Sequence, residues 1–191
     1  MIKVFTYNDR HMHIDSYNKM LQSRAIIFGE RLKWDVQIVD GKEEDEYDRE
    51  HNPLYFIAER PDGTHATSMR LLPTTGPTML RDKFHQFFPG CPDIYSPTIW
   101  ESTRYCATLQ AGETYYTAEL SRTLCETCLE NGITNLTGIF FRPMQRIYER
   151  AGWSPEPIMN ATLEGKVITL ATFDISDERL GEINKKFTLA A

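Results

Sequence analysis

Short apolar runs bounded by turn residues alternate along this chain with stretches of helical period. Ile2–Thr6 reads as a first strand, and Asp15 or Ser16 caps a helix running to about Glu30. Leu54–Glu59 and His65–Leu72 flank Pro61-Asp-Gly63 and read as a hairpin. A short helical piece is predicted around Leu80–Phe88. Thr98–Thr108 is strongly strand-like. A helix over about Glu113–Glu130 stacks Leu120, Leu124 and Cys128, and Asn131-Gly132 ends it. Ile133–Phe141 is a strand, and Pro143 opens another helix that turns Met144, Ile147, Tyr148 and Ala151 inward. Val167–Ile175 and Asp177–Phe187 complete the order as strand and helix. A mixed α/β (α+β) sheet covered by helices follows from that succession. In such sheets ligands sit where neighbouring strands diverge, here Thr98–Thr108 and Ile133–Phe141.

Lys33–Pro53 has no period of its own, and a polar excursion of that length is expected to be functional or mobile. Within it, Asp40–Glu50 holds seven acids and two bases, a net charge of −5 against −6 for all 191 residues. Two readings stand: a site for a small cation, or a solvated loop.

Composition narrows the class. Hydrophobic residues at 41% and charged residues at 25% describe a globular chain that buries a core. No apolar run is long enough to span a bilayer, and the N-terminus has no signal-peptide pattern, so a cytoplasmic protein without membrane insertion is expected. The acidic balance argues against nucleic acid as a partner. Four cysteines are too few for a disulfide scaffold, and Cys125-x-x-Cys128 and His11-Met-His13 lack the second motif a metal site needs. Phosphate-binding glycine loops, the nucleophile elbow and the zinc-protease motif are absent from the sequence.

What remains is charge inside strands: Arg70 in S-M-R-L-L, and Glu101 and Arg104 in W-E-S-T-R-Y. Embedded charges are costly unless paired or solvated, so either an ion-pair network or a charged pocket is implied. Glu101 and Arg104 lie three positions apart, which strict alternation puts on opposite faces. They share a pocket only if the strand bulges or ends between them.

These residues resemble the acyl-homoserine-lactone synthases, or autoinducer synthases. The resemblance spans the first two-thirds of the chain. It rests on Arg24, Phe28 and Trp34 in R-A-I-I-F-G-E-R-L-K-W, Asp45 and Asp48 in D-E-Y-D, Arg70 in R-L-L-P-T-T-G-P-T-M-L, and Glu101 and Arg104. The last third is looser, with E-R-A-G-W (Glu149–Trp153) as its echo. Lys33, Thr78 and Thr103 depart from the common pattern and bear on loop shape and acyl selectivity.

The resemblance implies a GCN5-related N-acetyltransferase-like three-layer α/β/α sandwich with a V-shaped cleft between two diverging strands. Residues 1–191 would form one synthase domain, with an N-terminal region (1–52) carrying a mobile substrate loop and a core (53–191). S-adenosyl-L-methionine is the implied substrate, not a cofactor, and an acyl thioester on acyl carrier protein or coenzyme A is the donor. No metal or cofactor is implied. The product is an N-acyl-L-homoserine lactone, a quorum-sensing signal. Glu101 is the expected base, with Arg70 and Arg104 beside it. Arg24, Phe28, Trp34, Asp45 and Asp48 bind S-adenosylmethionine, the aromatics by a cation–π face. Of the acidic run, Asp40, Glu43, Glu44, Glu46 and Glu50 are expected to be solvated bystanders. Thr103, Gly138, Phe140, Met144 and Ile147 are the expected acyl-pocket residues. Arg142, Arg146 and Arg150 form either a solvated stripe or a docking face for an acidic carrier protein or coenzyme A phosphates. A monomer or weak homodimer is expected. The competing readings are an acyl-coenzyme A N-acyltransferase acting on another amine, which the missing pyrophosphate loop disfavours, and a binding module on the same fold.

Overall fold

β-branched and aromatic residues in L-Y-F-I-A-E present two apolar faces at once, which is how a strand covered on both sides reads. In the computed structural model, which describes residues 2–190, Tyr55, Phe56, Ile57 and Ala58 are fully buried. In chain order the strands and α-helices are β1 (Ile2–Thr6), α1 (Ile14–Arg24), β2 (Ile38–Val39), β3 (Lys42–Glu43), α2 (Glu46–Glu50), β4 (Leu54–Glu59), β5 (His65–Pro73), β6 (Ile99–Ala107), α3 (Tyr115–Glu130), β7 (Asn135–Phe141), α4 (Gln145–Arg150), β8 (Glu156–Leu163), β9 (Lys166–Asp174) and α5 (Asp177–Ala190).

Seven strands form one sheet in the order β1-β4-β5-β6-β7-β9-β8. Its neighbours are antiparallel except β6 and β7, which are joined by α3 as a parallel pair must be. That parallel ladder pairs Ile99–Glu101 with Asn135–Thr137 and stops. Beyond it β6 follows β5 to Ala107, and β7 follows β9 to Phe141. The two strands therefore open a V at the centre of the sheet.

Tyr17, Met20 and Leu21 of α1 pack on Phe5, Tyr55 and Ile57 on one face. Leu120 and Leu124 of α3 and Ile183 of α5 pack with Phe56, Leu71 and Phe173 on the other. Helix, sheet and helix layers thus enclose apolar clusters on both faces of the sheet, as expected from a three-layer sandwich.

Four elements differ from the sequence reading. The first helix keeps its α-helical turns only to Arg24 and continues to Arg31 as wide π-helical turns, with the Leu32 N–H donating to the Ile27 carbonyl at 2.9 Å. Widened turns re-aim side chains, and here Arg24 and Phe28 both point inward and are buried. Lys33–Pro53 is not structureless: it holds the hairpin β2–β3 and helix α2, turned by Asp40-Gly41 with both residues at positive φ. β8 was missed because Pro157 and an exposed outer face erase the alternation that marks a strand; it is the sheet's edge. In α4, Ile147 is exposed rather than inward, whereas Tyr148 and Ala151 do turn in.

Candidate active site

The D-E-Y-D tetrapeptide folds on itself first. Asp45 Oδ1 accepts from the Asp48 N–H and Asp48 Oδ2 accepts from the Asp45 N–H, both at 3.0 Å. This reciprocal box starts α2 and fixes two carboxylates side by side.

Three arginines from three distant elements converge on them. Arg24 of α1 meets Asp48 through both terminal nitrogens, at 3.2 and 2.8 Å, and meets Glu43 through Nε at 2.5 Å. Arg70 of β5 grips Asp45 at 2.5 and 3.0 Å and lies 2.8 Å from Asp48. Arg104 of β6 reaches Glu43 and Asp45, each at 2.9 Å. The Tyr55 hydroxyl adds a bond to Asp48 at 2.7 Å. Burial disfavours charge on Asp48, yet Arg24 and Arg70 hold its carboxyl well below the usual range. Burial likewise opposes charge on Arg24, and Asp48 and Glu43 override it. At Arg104 burial wins and lowers the guanidinium's pKa, with Arg24 and Arg70 adding to the effect.

The ring is close to neutral, three guanidiniums against three carboxylates. That revises the expectation for the acidic run. Glu43 is no solvated bystander: it is buried and bridges Arg24 to Arg104. Glu44 accepts from the Tyr17 hydroxyl, and Glu46 pairs with Lys83, while Asp40 and Glu50 are exposed.

The bulge that Glu101 and Arg104 require is present. Ser68 pairs with Cys106 but Arg70 pairs with Thr103, so β6 carries an extra residue, and Arg104 sits at φ 55. Its side chain joins Glu101 on the face of Arg70, while Ser102 and Tyr105 turn to the other face. Glu101 is 2% exposed and accepts from the Met79 and Leu80 N–H groups at 2.8 and 2.6 Å. Burial pushes its carboxyl up to about 7, against those two donors and Arg70. A carboxyl titrating there is suited to proton abstraction at neutral pH.

Phe28 and Trp34 stack at 4.9 Å and 8° beside this ring, with the Arg104 guanidinium 5.6 Å from the Phe28 centroid. On the α3 face a small apolar cavity of about 20 Å³ starts at Ser102. Met69, Leu120, Leu124, Leu136, Trp153 and Phe173 supply most of its apolar wall. Ser102 Oγ donates to the Thr137 carbonyl at 3.2 Å, at the vertex of the V.

Seven of the eight residues of the resemblance thus fall on the ring or its aromatic edge, and Glu101 lies beside them on Met79, which also meets Arg70 and Arg104. The five expected acyl-pocket residues do not line this cavity. Thr103 accepts from Arg70 Nε at 3.0 Å on the opposite face. Phe140 is core, stacked edge-on with Tyr148, and Ile147 faces outward. Met144 packs at the margin of the core. Gly138 abuts Ser102, whose Oγ would lie 2.7 Å from an added Cβ. Leu136 lines the cavity although Gly138 and Phe140 share its face of β7, so the packing over that face and not alternation selects among them. Arg142, Arg146 and Arg150 are exposed around α4. Cys125 and Cys128 are buried in the core under α3. Sequence reasoning missed Glu43, Met79, Tyr55 and Ser102. Only the Asp-Gly hairpin turn signalled that Glu43 would fold back.

A model of the autoinducer synthase family matches residues 8–183. An acyl-homoserine-lactone synthase of Rhizobium etli is 35% identical over 180 residues, covering 92% of this chain and 85% of the relative. The structure of BjaI, a CoA-dependent acyl-homoserine lactone synthase, with SAM and isopentyl-CoA superposes with a TM-score of 0.85 at 28% identity, over 98% of this chain and 89% of BjaI. An acyl-CoA N-acyltransferase from Pseudomonas aeruginosa shares the fold at 16% identity and a TM-score of 0.58, over 90% of this chain and 98% of that one. The chain belongs to the autoinducer synthase family, acyltransferases that make acyl-homoserine lactones.

Proposed function

We propose that residues 1–191 act as one domain that acylates the amine of S-adenosyl-L-methionine and then closes the lactone. The observation carrying this reading is the adjacency of Glu101 and Ser102. One carboxyl faces the charged ring, and the next residue opens the apolar chamber. An amine held in the ring and an acyl chain held in the chamber would meet at the V.

Glu101 takes a proton from the substrate ammonium, directly or through water, and the freed amine attacks the thioester carbonyl. The carbon–sulfur bond of the thioester breaks as the amide forms, and the carrier leaves as a thiol. The methionyl carboxylate then attacks its own γ-carbon, and neutral methylthioadenosine leaves from the sulfonium. Holding the chain folded back is the protein's contribution to that step. Arg70 and Arg104 orient the carboxylate, and the Phe28–Trp34 pair offers an aromatic face to the sulfonium. Because the ring is nearly neutral, affinity for this cation comes from placed partners more than from a broad anionic field.

The acyl chain enters this cavity as its apolar walls part, since about 20 Å³ holds little more than one water. The exposed Arg142, Arg146 and Arg150 suit an acidic carrier protein, and equally coenzyme A phosphates. BjaI is described as CoA-dependent and with isopentyl-CoA, which supports a coenzyme A thioester at this site. Among the described residues no helix is long and apolar enough to cross a membrane. Both substrates are cytoplasmic metabolites, and we place the enzyme there, acting as a monomer or weak homodimer.

The test is incubation with S-adenosylmethionine and a series of acyl thioesters on both carriers, read by mass spectrometry. An N-acyl-homoserine lactone with equimolar methylthioadenosine is expected. An N-acyl product without methylthioadenosine would transfer the assignment to an N-acyltransferase on another amine.

A further inference from the structure

Met79 occupies the middle of the site in two ways. Its main-chain N–H donates to Glu101 Oε2 at 2.8 Å. Its thioether sulfur receives Arg70 Nη2 at 3.4 Å and Arg104 Nη1 at 3.7 Å. Arg70 Nη2 keeps a second bond to Asp45 Oδ2 at 3.0 Å, and the other nitrogens of both guanidiniums are on oxygen: Arg70 on Thr103, Asp45 and Asp48, Arg104 on Glu43 and Asp45. Both guanidiniums are thus anchored on one side by strong acceptors and covered on the other by a weak one.

A thioether is a poor acceptor, whereas a carboxylate forms short charge-assisted bonds to the same N–H groups. Exchange of sulfur for a carboxylate at those nitrogens is favourable, and the thioether's flexible stem lets it move aside. The carbonyl of an amide at that place would compete where sulfur does not.

We propose that Met79 is a positioning residue whose thioether covers one Nη2 N–H of Arg70 and the Nη1 edge of Arg104 until the carboxylate of S-adenosylmethionine displaces it, while its N–H keeps Glu101 aimed. This rests on the reaction proposed above. It adds a residue outside the eight signature positions and a reason for a soft side chain there.

The test compares Met79→Leu, which keeps the volume without an acceptor, and Met79→Gln, which installs a strong one. Binding of S-adenosylmethionine and of its decarboxylated analogue is measured by calorimetry on each protein, alongside steady-state kinetics and thermal unfolding. Met79→Gln is expected to weaken S-adenosylmethionine by about tenfold, close to one neutral hydrogen bond. It should leave the decarboxylated analogue and the acyl-thioester KM near wild type. Met79→Leu should bind S-adenosylmethionine at least as well as wild type. Equal affinity of the Gln variant and wild type for S-adenosylmethionine would overturn the proposal. So would equal weakening of both ligands, or equal weakening by Leu and Gln, because a simple packing role predicts those. Absence of methylthioadenosine release by wild type would instead overturn the underlying reaction.

Discussion

Arg104 lies 2.9 Å from Glu43 although its place in β6 should turn it away from that face. Its left-handed backbone, φ 55, absorbs the extra residue of the bulge and swings the side chain across. The contact closes the ring of arginines and carboxylates. Glu43 comes from a two-residue strand, and it arrives only because Asp40-Gly41 turns the chain back on itself.

Glu43→Gln should cost about 3 kcal/mol of stability, because it leaves Arg24 and Arg104 sharing one fewer buried counter-charge. Urea unfolding should show a lower midpoint at unchanged slope. Replacement of the exposed Glu50 by Gln should leave the midpoint within about 0.5 kcal/mol of wild type. Equal midpoints for the two variants would contradict the buried role of Glu43.

Activity should rise with pH through an apparent pKa near 7, because Glu101 must be ionised to accept a proton and burial raises its carboxyl to about 7. Stability should run the other way. From the ordinary carboxyl value of 4.5 up to about 7 the unfolded chain releases the proton that the folded chain keeps, so stability falls as pH rises through that window. Glu101→Gln should flatten the stability profile there and lower turnover by about 100-fold or more. Infrared difference spectra should show a protonated carboxyl band at pH 6 that the Gln variant lacks. An unchanged stability slope in the variant would remove Glu101 as its source.

Gly138→Ala should destabilise by about 1–3 kcal/mol through overpacking. The added Cβ would stand 2.7 Å from Ser102 Oγ and 3.2 Å from the Ser102 carbonyl at the vertex of the V. Adding Ser102→Ala removes the closer clash but not the carbonyl, so the double variant should recover part of the loss. A double-mutant cycle on thermal unfolding measures that coupling, and strict additivity would contradict the contact.

Reversal of Arg146 and Arg150 to Glu should raise KM for acyl carrier protein by about tenfold at low ionic strength, with the effect shrinking as salt is added. The KM for S-adenosylmethionine should stay at its wild-type value, because both side chains are exposed on α4 and neither pairs with the ring's carboxylates. An unchanged carrier KM at low salt would return the stripe to ordinary solvated surface.

The sequence by itself determined the strand-and-helix order, because runs such as L-Y-F-I-A-E and the helical stacking of Leu120, Leu124 and Cys128 depend on local periodicity. It also pointed to eight residues through their resemblance to a family, which the fold brings together, and set the condition that β6 must bulge for Glu101 and Arg104 to meet. Tertiary structure decided the rest. Whether an acid in a run of seven is buried depends on arginines that lie 19 and 61 residues away in sequence, as for Glu43. Composition treats all seven alike. The wall of the proposed acyl chamber depends on what packs over β7: Leu136 lines it, whereas Phe140, on the same face, is covered by Tyr148. β8 stayed hidden because an edge strand needs only one buried face. The field of the acidic segment, conspicuous in the sequence, is largely cancelled in the folded protein by Arg24, Arg70 and Arg104, since buried charges persist only when paired.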